Sequence, residues 1–289
     1  MKKIIILIPV YNDWQSLEKL IEDINLKVKN INCKFSIFVI NDASTEEYYD
    51  KRFSTEEIKV EVISLLKNVG HARSIATGLK YIYEKKDFDY VIPMDGDGED
   101  RPDEINKFIE STDYYVDKAI VGERIKRSES LLFKTCYQIH KLITLVFTGQ
   151  SIKFGNFTCL PKTTVDKMVN EKATWNSFSG SLRKLEKDLI PIPSIRGTRY
   201  FGPSKMNFSS LVKHSLSIIS VFRKAVLIRS ALFIIIYILL IKNHASIITL
   251  IPFLFLLYLV YSVSNLALRE NMDEFNNSLK NILDITKLK

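Results

Sequence analysis

The stretch Tyr90–Glu104, YVIPMDGDGEDRPDE, decides the fold. Its opening run, Tyr90–Met94, is short and apolar, which predicts a buried strand. Six of the ten residues from Asp95 to Glu104 are carboxylates: Asp95, Asp97, Glu99, Asp100, Asp103 and Glu104. The surrounding chain is basic, with a formal net charge of +8. A solvated turn needs no such density of charge directly after a buried strand. A calcium loop of the helix–loop–helix kind requires Gly at its sixth position and Glu at its twelfth. Counted from Asp95 these are Asp100 and Asn106, so that reading fails. A paired-carboxylate hydrolase would need a partner that nothing in the sequence fixes. A Mg²⁺ or Mn²⁺ site suits the cluster best, because these hard ions are held by one or two carboxylates plus substrate phosphates. Gly96 and Gly98 keep the backbone open to a diphosphate.

Outward from this stretch, strands and helices alternate. Ile4–Val10 is apolar and β-branched, and predicts a buried strand. Asp13–Lys29 carries Trp14, Leu17, Leu20, Ile21, Ile24 and Val28 at helical spacing. Phe35–Ile40 predicts a second strand, Val60–Leu65 a third, and Ala72–Glu84 a helix before the strand Tyr90–Met94. The alternation predicts an α/β fold with a mostly parallel, Rossmann-like sheet. Ligands of such sheets lie outside the carboxyl ends of the strands. Three polar clusters fall there: Tyr11-Asn12-Asp13, Asn41-Asp42-Ala43-Ser44 and Asp95-Gly96-Asp97.

With 289 residues, 46% hydrophobic and 26% charged, the chain can bury a core and is not disordered. Cys33, Cys136 and Cys159 are far apart and match no metal-ligand spacing, which predicts free thiols in a reducing compartment. His71, His140, His214 and His244 are scattered, which argues against zinc. No nucleic-acid motif accompanies the positive charge, so no nucleic-acid partner is expected.

Two long apolar runs lie near the C-terminus. Ala245–Leu268 is 24 residues without a charge, enough at about 1.5 Å per residue to cross roughly 30 Å of hydrocarbon. Ala225–Ile241 is broken only by Arg229, which can snorkel to the headgroups. The short link between them predicts a transmembrane hairpin. Lys213, Arg223 and Lys224 before it, and Arg269, Lys280, Lys287 and Lys289 after it, place both ends in the cytoplasm by the positive-inside rule. Phe208–Lys224 is amphipathic, with Phe208, Leu211, Val212, Leu216, Ile219 and Phe222 opposite a face of serines and basic residues, and fits either a helix on an anionic membrane surface or a helix packed on its own domain. The apolar core of KKIIILIPVYND is too short for a signal peptide, so none is expected there. The expected organisation is a catalytic domain over 1–207, a juxtamembrane helix over 208–224, membrane helices over 225–241 and 245–268, and a cytoplasmic tail over 269–289.

Six motifs stand in order: PVYND at Pro9–Asp13, INDAST at Ile40–Thr45, NVGHARSIATGL at Asn68–Leu79, MDGDGEDRPDEI from Met94, VGER at Val121–Arg124 and TRYFGPSKMNF at Thr198–Phe208. Together they resemble family 2 glycosyltransferases with the GT-A fold, over about residues 4–222. The branch most similar contains dolichyl-phosphate mannose synthases and bacterial polyprenyl-phosphate glycosyltransferases. The resemblance implies a nucleotide-sugar site made by Pro9, Tyr11, Asp13, Asp42, Asp95 and Gly96. It implies a metal, Mg²⁺ or Mn²⁺, on Asp95, Asp97 and Glu99. It gives catalytic roles to Asp97, Arg124 and Lys205, the last two on phosphates, with Arg127, Lys134 and Arg199 as weaker phosphate candidates.

The same resemblance implies an inverting transfer of one sugar from a UDP- or GDP-sugar to polyprenyl (undecaprenyl) phosphate, at the inner membrane, for cell-surface glycans. A lipid phosphate is already anionic and needs no general base. The alternative acceptor, a sugar hydroxyl of a lipid-linked glycan, would need one. A non-catalytic sugar-nucleotide-binding scaffold is the reading outside enzymes, and homo-oligomerisation is left open. The chain departs from its relatives at Gly98-Glu99, where they often have Leu-Gln, and at Arg101, where they have proline. Asp13 stands where many have Glu. The Gln-x-x-Arg-Trp signature is absent, which argues against a processive polysaccharide synthase.

Overall fold

The computed structural model describes residues 1–46, 58–126, 131–203, 208–244 and 246–288. The elements in chain order are β1 (Lys2–Val10), α1 (Trp14–Val28), β2 (Cys33–Asn41), β3 (Lys59–Leu65), α2 (His71–Lys85) and β4 (Tyr90–Pro93). A 3₁₀ turn at Pro102–Glu104 leads to α3 (Ile105–Tyr114), β5 (Ile120–Lys126), α4 (Leu131–Thr148), β6 (Phe154–Pro161) and α5 (Lys162–Val169). Then come α6 (Phe178–Leu185), β7 (Ile190–Ile195), α7 (Phe208–Ser220), α8 (Arg223–Ile241), α9 (Ile247–Ala267), α10 (Met272–Asn276) and β8 (Ile282–Leu288).

The eight strands form one sheet in the order β7-β5-β6-β4-β1-β2-β3-β8. From β4 to β3 the pairs are parallel, with Ile6 opposite both Ile37 and Ile92. β6 and β8 run antiparallel to their neighbours β4 and β3. The central strand β1 is apolar at consecutive positions because both of its faces are covered. Ile4, Ile6 and Ile8 pack with α1 and α3 through Leu17, Leu20, Ile24 and Phe108. Ile5 and Leu7 pack on the other face with Ile75, Leu79 and Ile82 of α2. α2 lies so close to the sheet that a Cβ at Gly78 would stand 2.5 Å from Leu7 Cδ1. This is the mostly parallel α/β architecture that the strand–helix alternation predicts.

A second layer obeys the opposite solvent rule. α4 buries Thr144 and Thr148 and exposes Ile139 (51%), Leu142 (62%) and Leu145 (50%). The buried hydroxyls are satisfied inside the helix, Thr144 donating to His140 O at 2.8 Å and Thr148 to Thr144 O at 2.6 Å. α7 buries Ser217 and Ser220, which its sequence placed on the polar face, together with Ile218 and Ile219, and exposes Phe208 (60%). Ser220 accepts from Asn176 Nδ2 at 2.9 Å, so this part of the helix packs on the sheet domain, the second of the two readings. α8 and α9 have mean hydropathies of 2.3 and 2.2 over their most apolar windows, only 11% of which is buried. They are long and apolar enough to cross a membrane and do not serve as core helices. Tyr237 of α8 donates to Thr249 O of α9 at 2.8 Å, closing the hairpin. Arg229 donates to Val146 O at 2.9 Å and caps the last turn of α4, a better use of a cation than free snorkelling.

Within residues 269–289, expected as a tail, Met272–Asn276 and Ile282–Leu288 supply a helix and a strand of the sheet domain. β8 pairs along β3 with Val62 opposite Thr286 and Ile63 opposite Ile285. Phe275 of α10 is fully buried and stacks on Trp175, ring centroids 5.4 Å apart. Trp175 Nε1 donates to Glu274 at 2.9 Å, and Arg73 pairs with the same carboxylate at 3.2 Å. The chain leaves the sheet after β7 and returns to it at β8, so the α8–α9 hairpin is an excursion from the sheet domain.

Candidate functional site

Three loops meet at the carboxyl ends of β1, β2 and β4. Asn12, at φ +50°, ties the first two together. Its Nδ2 donates to Thr45 Oγ1 at 2.9 Å, and its Oδ1 accepts from the Thr45 and Glu46 amides at 2.8 and 3.1 Å. Tyr11 is exposed at the rim, whereas Pro9 is buried within β1. Asp42, expected at the nucleoside, is only 4% exposed. Its carboxylate accepts from the amides of Val69 and Gly70 at 2.8 and 2.9 Å, so it builds the loop that starts α2. Desolvation raises its pKa against those two hydrogen bonds.

The third loop carries the carboxylates. Asp95 Oδ1 accepts from Asn156 Nδ2 at 3.1 Å and lies 3.3 Å from His71 Nε2. Desolvation works to raise the Asp95 pKa, but His71, then Arg196 and Arg124, hold it below the usual carboxylate range. Desolvation likewise opposes protonation of His71, and the bond and charge of Asp95 outweigh it, so the His71 pKa is raised. Asp97 is pushed up, first by desolvation and then by the charge of Asp95. Asp100 is buried and accepts from the Asp95 amide at 2.9 Å, which fixes the loop from within. Gly96 leaves room against Ile8 and Pro9 O, 3.2 and 3.3 Å from where its Cβ would stand.

A strap at residues 196–203 folds across this loop. Arg199 Nη1 donates to Asp97 Oδ2 at 2.7 Å, and its Nη2 pairs with Asp13. Arg196 pairs with Glu99. The Gly197 amide donates to Glu99 O at 2.8 Å and the Tyr200 amide to Asp97 O at 2.9 Å. Tyr200 OH reaches Asp23 at 2.7 Å. The Tyr200 ring lies on Gly98, whose φ of +87° and missing Cβ (2.4 Å from the ring if present) allow the contact. Glycine at position 98 in place of leucine therefore has a local reason. Arg124 of β5 lies against Gly155, and its charge acts on Asp95 and Asp100.

The structure thus brings together Asp13, Asp95, Asp97, Glu99 and Arg124, sets Asp42 behind them, and promotes Arg199 from a weaker candidate to the centre. Sequence reading missed His71, Asn156, Arg196 and Asp100. Asp100 stood in the opening stretch, while the other three arrive from α2, β6 and the strap, whose approach no local spacing encodes. Lys205 and Arg127 lie outside the described residues, as does the side chain of Lys134. Among the described residues no three His, Cys, Asp or Glu side chains already converge on one metal position. Asp95 and Asp97 nevertheless offer the hard oxygen donors that Mg²⁺ or Mn²⁺ takes when phosphates complete its shell.

Comparison with known proteins agrees with this geometry. Residues 5–176 match the model for "Glycosyl transferase family 2". Undecaprenyl-phosphate 4-deoxy-4-formamido-L-arabinose transferase from Klebsiella pneumoniae (strain 342) is 26% identical over 229 residues, covering 73% of this chain and 65% of that protein. The enzyme of the same name from Salmonella choleraesuis is 26% identical over 222 residues. The chain spans 65% of the length of these relatives. Among solved structures, glucosyl-3-phosphoglycerate synthase from Mycobacterium tuberculosis, in complex with Mn²⁺, UDP-glucose and phosphoglyceric acid, shares the fold at TM-score 0.55 and 11% identity, over 78% of this chain and 80% of that one. A mannosyltransferase from Pyrobaculum calidifontis, in complex with GDP-mannose and Mn²⁺, does so at TM-score 0.52 and 12% identity, over 98% of this chain and 76% of that one. The fold is GT-A-like.

Proposed function

The chain belongs to glycosyl transferase family 2, and from that premise we propose that it moves one sugar, with inversion, from a UDP- or GDP-sugar to a polyprenyl phosphate such as undecaprenyl phosphate. One observation carries the reading. Two of the connections that leave the carboxylate cleft run into the outward-apolar layer: β5, which bears Arg124, continues to α4, and the strap continues to α7. A cleft at the carboxyl edge of a parallel sheet is a nucleotide site, and an apolar layer beside it suits a lipid-borne acceptor. The names of the relatives and the donors in the solved structures support the same two classes.

The roles follow from position. Asp13 and Tyr11 line the nucleoside side, and Pro9, Gly96 and Asp42 shape its loops. Asp95 and Asp97 would hold Mg²⁺ or Mn²⁺, which when bound neutralises the developing charge of the diphosphate leaving group. Glu99, a third candidate ligand, is engaged with Arg196. Arg124 and Lys205 would meet phosphate oxygens as positive charges. The acceptor phosphate is anionic at neutral pH, so no side chain has to remove a proton from it. We place the protein on the cytoplasmic face of a membrane, with α8 and α9 as a spanning hairpin and with α4 and α7 in the headgroup layer.

The test is product analysis. Purified full chain in nanodiscs is incubated with Mn²⁺, a panel of UDP- and GDP-sugars and undecaprenyl phosphate. The expected product is a glycosyl monophosphoryl lipid, with release of nucleoside diphosphate. Transfer only to the hydroxyl of a lipid-linked glycan, or no transfer from any donor, would overturn the assignment.

A further inference from the structure

Arg199 bridges Asp13 of the first loop and Asp97 of the third, and its side chain is only 15% exposed. The second oxygen of Asp97 already accepts from the Glu99 amide at 3.0 Å. A divalent cation on Asp97 would therefore have to share that carboxylate with a guanidinium. Two positive groups on one carboxylate repel, and inside a partly dehydrated cleft that repulsion is poorly screened. Arg196 meets Glu99 from the same strap, so the next two carboxylates after Asp95, Asp97 and Glu99, are both paired with arginines.

We infer that Arg199 is a resident counter-cation that competes with the metal for Asp97, and that the donor diphosphate relieves this competition by taking over the guanidinium. This rests on reading the cleft as the donor site. The charge balance supports it. A diphosphate brings two negative charges and a divalent cation two positive ones, so the cleft keeps its net charge when both enter. A guanidinium that leaves Asp97 and Asp13 finds in the diphosphate a pair of anionic oxygens that its planar fork can meet bidentately. The metal alone would leave the cleft two charges more positive with Arg199 in place. Arg199 thus makes cation binding depend on donor binding. It is a positioning residue for the donor rather than a ligand of the metal.

The experiment measures Mn²⁺ binding to the full chain in nanodiscs, from the loss of the free-Mn²⁺ electron paramagnetic resonance signal. It is run with and without UDP or GDP. Arg199→Met should bind Mn²⁺ alone roughly tenfold more tightly than the native chain, the scale of one lost charge pair in a half-dry cleft. Nucleotide should then improve Mn²⁺ affinity less in the variant than in the native chain. Unchanged or weaker Mn²⁺ binding by a folded Arg199→Met protein would overturn the inference. If that variant fails to fold, Arg199→Lys keeps a charge but loses the fork that spans two carboxylates. Lysine should tighten Mn²⁺ binding by a smaller factor, and unchanged affinity there counts equally against the idea. If the native chain binds neither Mn²⁺ nor nucleotide, the donor-site reading fails and this inference fails with it. If it binds both and the variants bind Mn²⁺ no more tightly, only this inference is lost.

Discussion

The sheet domain and the layer made by α4, α7, α8 and α9 treat solvent in opposite ways. Around β1 the apolar residues Ile4 to Ile8 are at most 4% exposed. In the second layer Ile228, Leu240 and Ile247 are 72%, 72% and 84% exposed, while Thr144, Ser217 and Ser220 are buried. Burying a hydroxyl and exposing a leucine is unfavourable in water. It becomes favourable where the surroundings are hydrocarbon and each buried hydroxyl has a backbone acceptor, as these have. The contrast fits a protein with water on one side and a bilayer on the other, and it gives a rule for deciding to which half each segment belongs.

Phe275 tests that rule most severely. It follows the hairpin in sequence, yet it is fully buried in the same core as Leu7 and Ile75. Phe275→Ala should destabilise the sheet domain by about 3–5 kcal/mol, because the lost burial adds to a cavity beside Trp175. The measurement is denaturant unfolding followed by tryptophan fluorescence, which Trp175 reports directly. A truncation after residue 208 removes the same side chain together with β8, so such a fragment should unfold rather than bind nucleotide. A stable, nucleotide-binding fragment ending there would break the division drawn here.

Asp97 tests the water side. Asp97→Asn keeps the shape of the loop, since Oδ1 can still accept from the Glu99 amide. It removes the charge that a cation needs. Transfer should fall about a hundredfold or more, a barrier increase of about 2.7 kcal/mol. The fold should hold, because the loop keeps the bond from the Glu99 amide and Arg199 keeps its pair with Asp13. Near-native turnover with Mg²⁺ or Mn²⁺ present would remove Asp97 from the metal site.

The two halves were unequally legible in the sequence. β1 to β4 announce themselves through β-branched runs that end in polar clusters, and the Asp-Gly-Asp loop lies wholly within one such ending. The hairpin is read from the length and nearly unbroken apolarity of its two runs and the short link between them. β7, IPIPSI, hides because Pro191 and Pro193 are unusual in strands; it sits at the sheet edge, where a missing amide costs little. β8 hides because its partner β3 is more than two hundred positions earlier, and pairing at that distance leaves no local period. α4 hides because the described side chains it buries most fully are Thr144 and Thr148 while Leu142 and Leu145 face outward, so its pattern argues against burial where the helix is in fact packed. Within the site, the carboxylates are legible as a motif. Their partners come from three segments that only the fold brings together: His71 from α2, Asn156 from β6, and Arg196 and Arg199 from the strap.

Leu142 sharpens the contrast at its weakest effect. It lies on the exposed face of α4, beside Ile139 and Leu145, and α4 is fixed to α8 by the Arg229 cap and by the Phe147–Phe233 contact, ring centroids 5.6 Å apart. If water covered this face, Leu142→Ser would be neutral or slightly favourable for stability and would leave transfer untouched. If a bilayer covers it, the substitution removes apolar area from the lipid side only. The melting temperature in detergent should then stay within a degree or two, since a surface change contributes about 0.5 kcal/mol at most. Transfer to undecaprenyl phosphate in nanodiscs should fall about fivefold, on the scale of one partly immersed leucine. Turnover with a short-chain, water-soluble polyprenyl phosphate should be unchanged. That last comparison separates a role in lipid contact from a role in the cleft, because a cleft defect would slow both acceptors alike. Equal rates for native and variant protein on the long-chain lipid would place α4 in water and move the boundary between the two halves to α8.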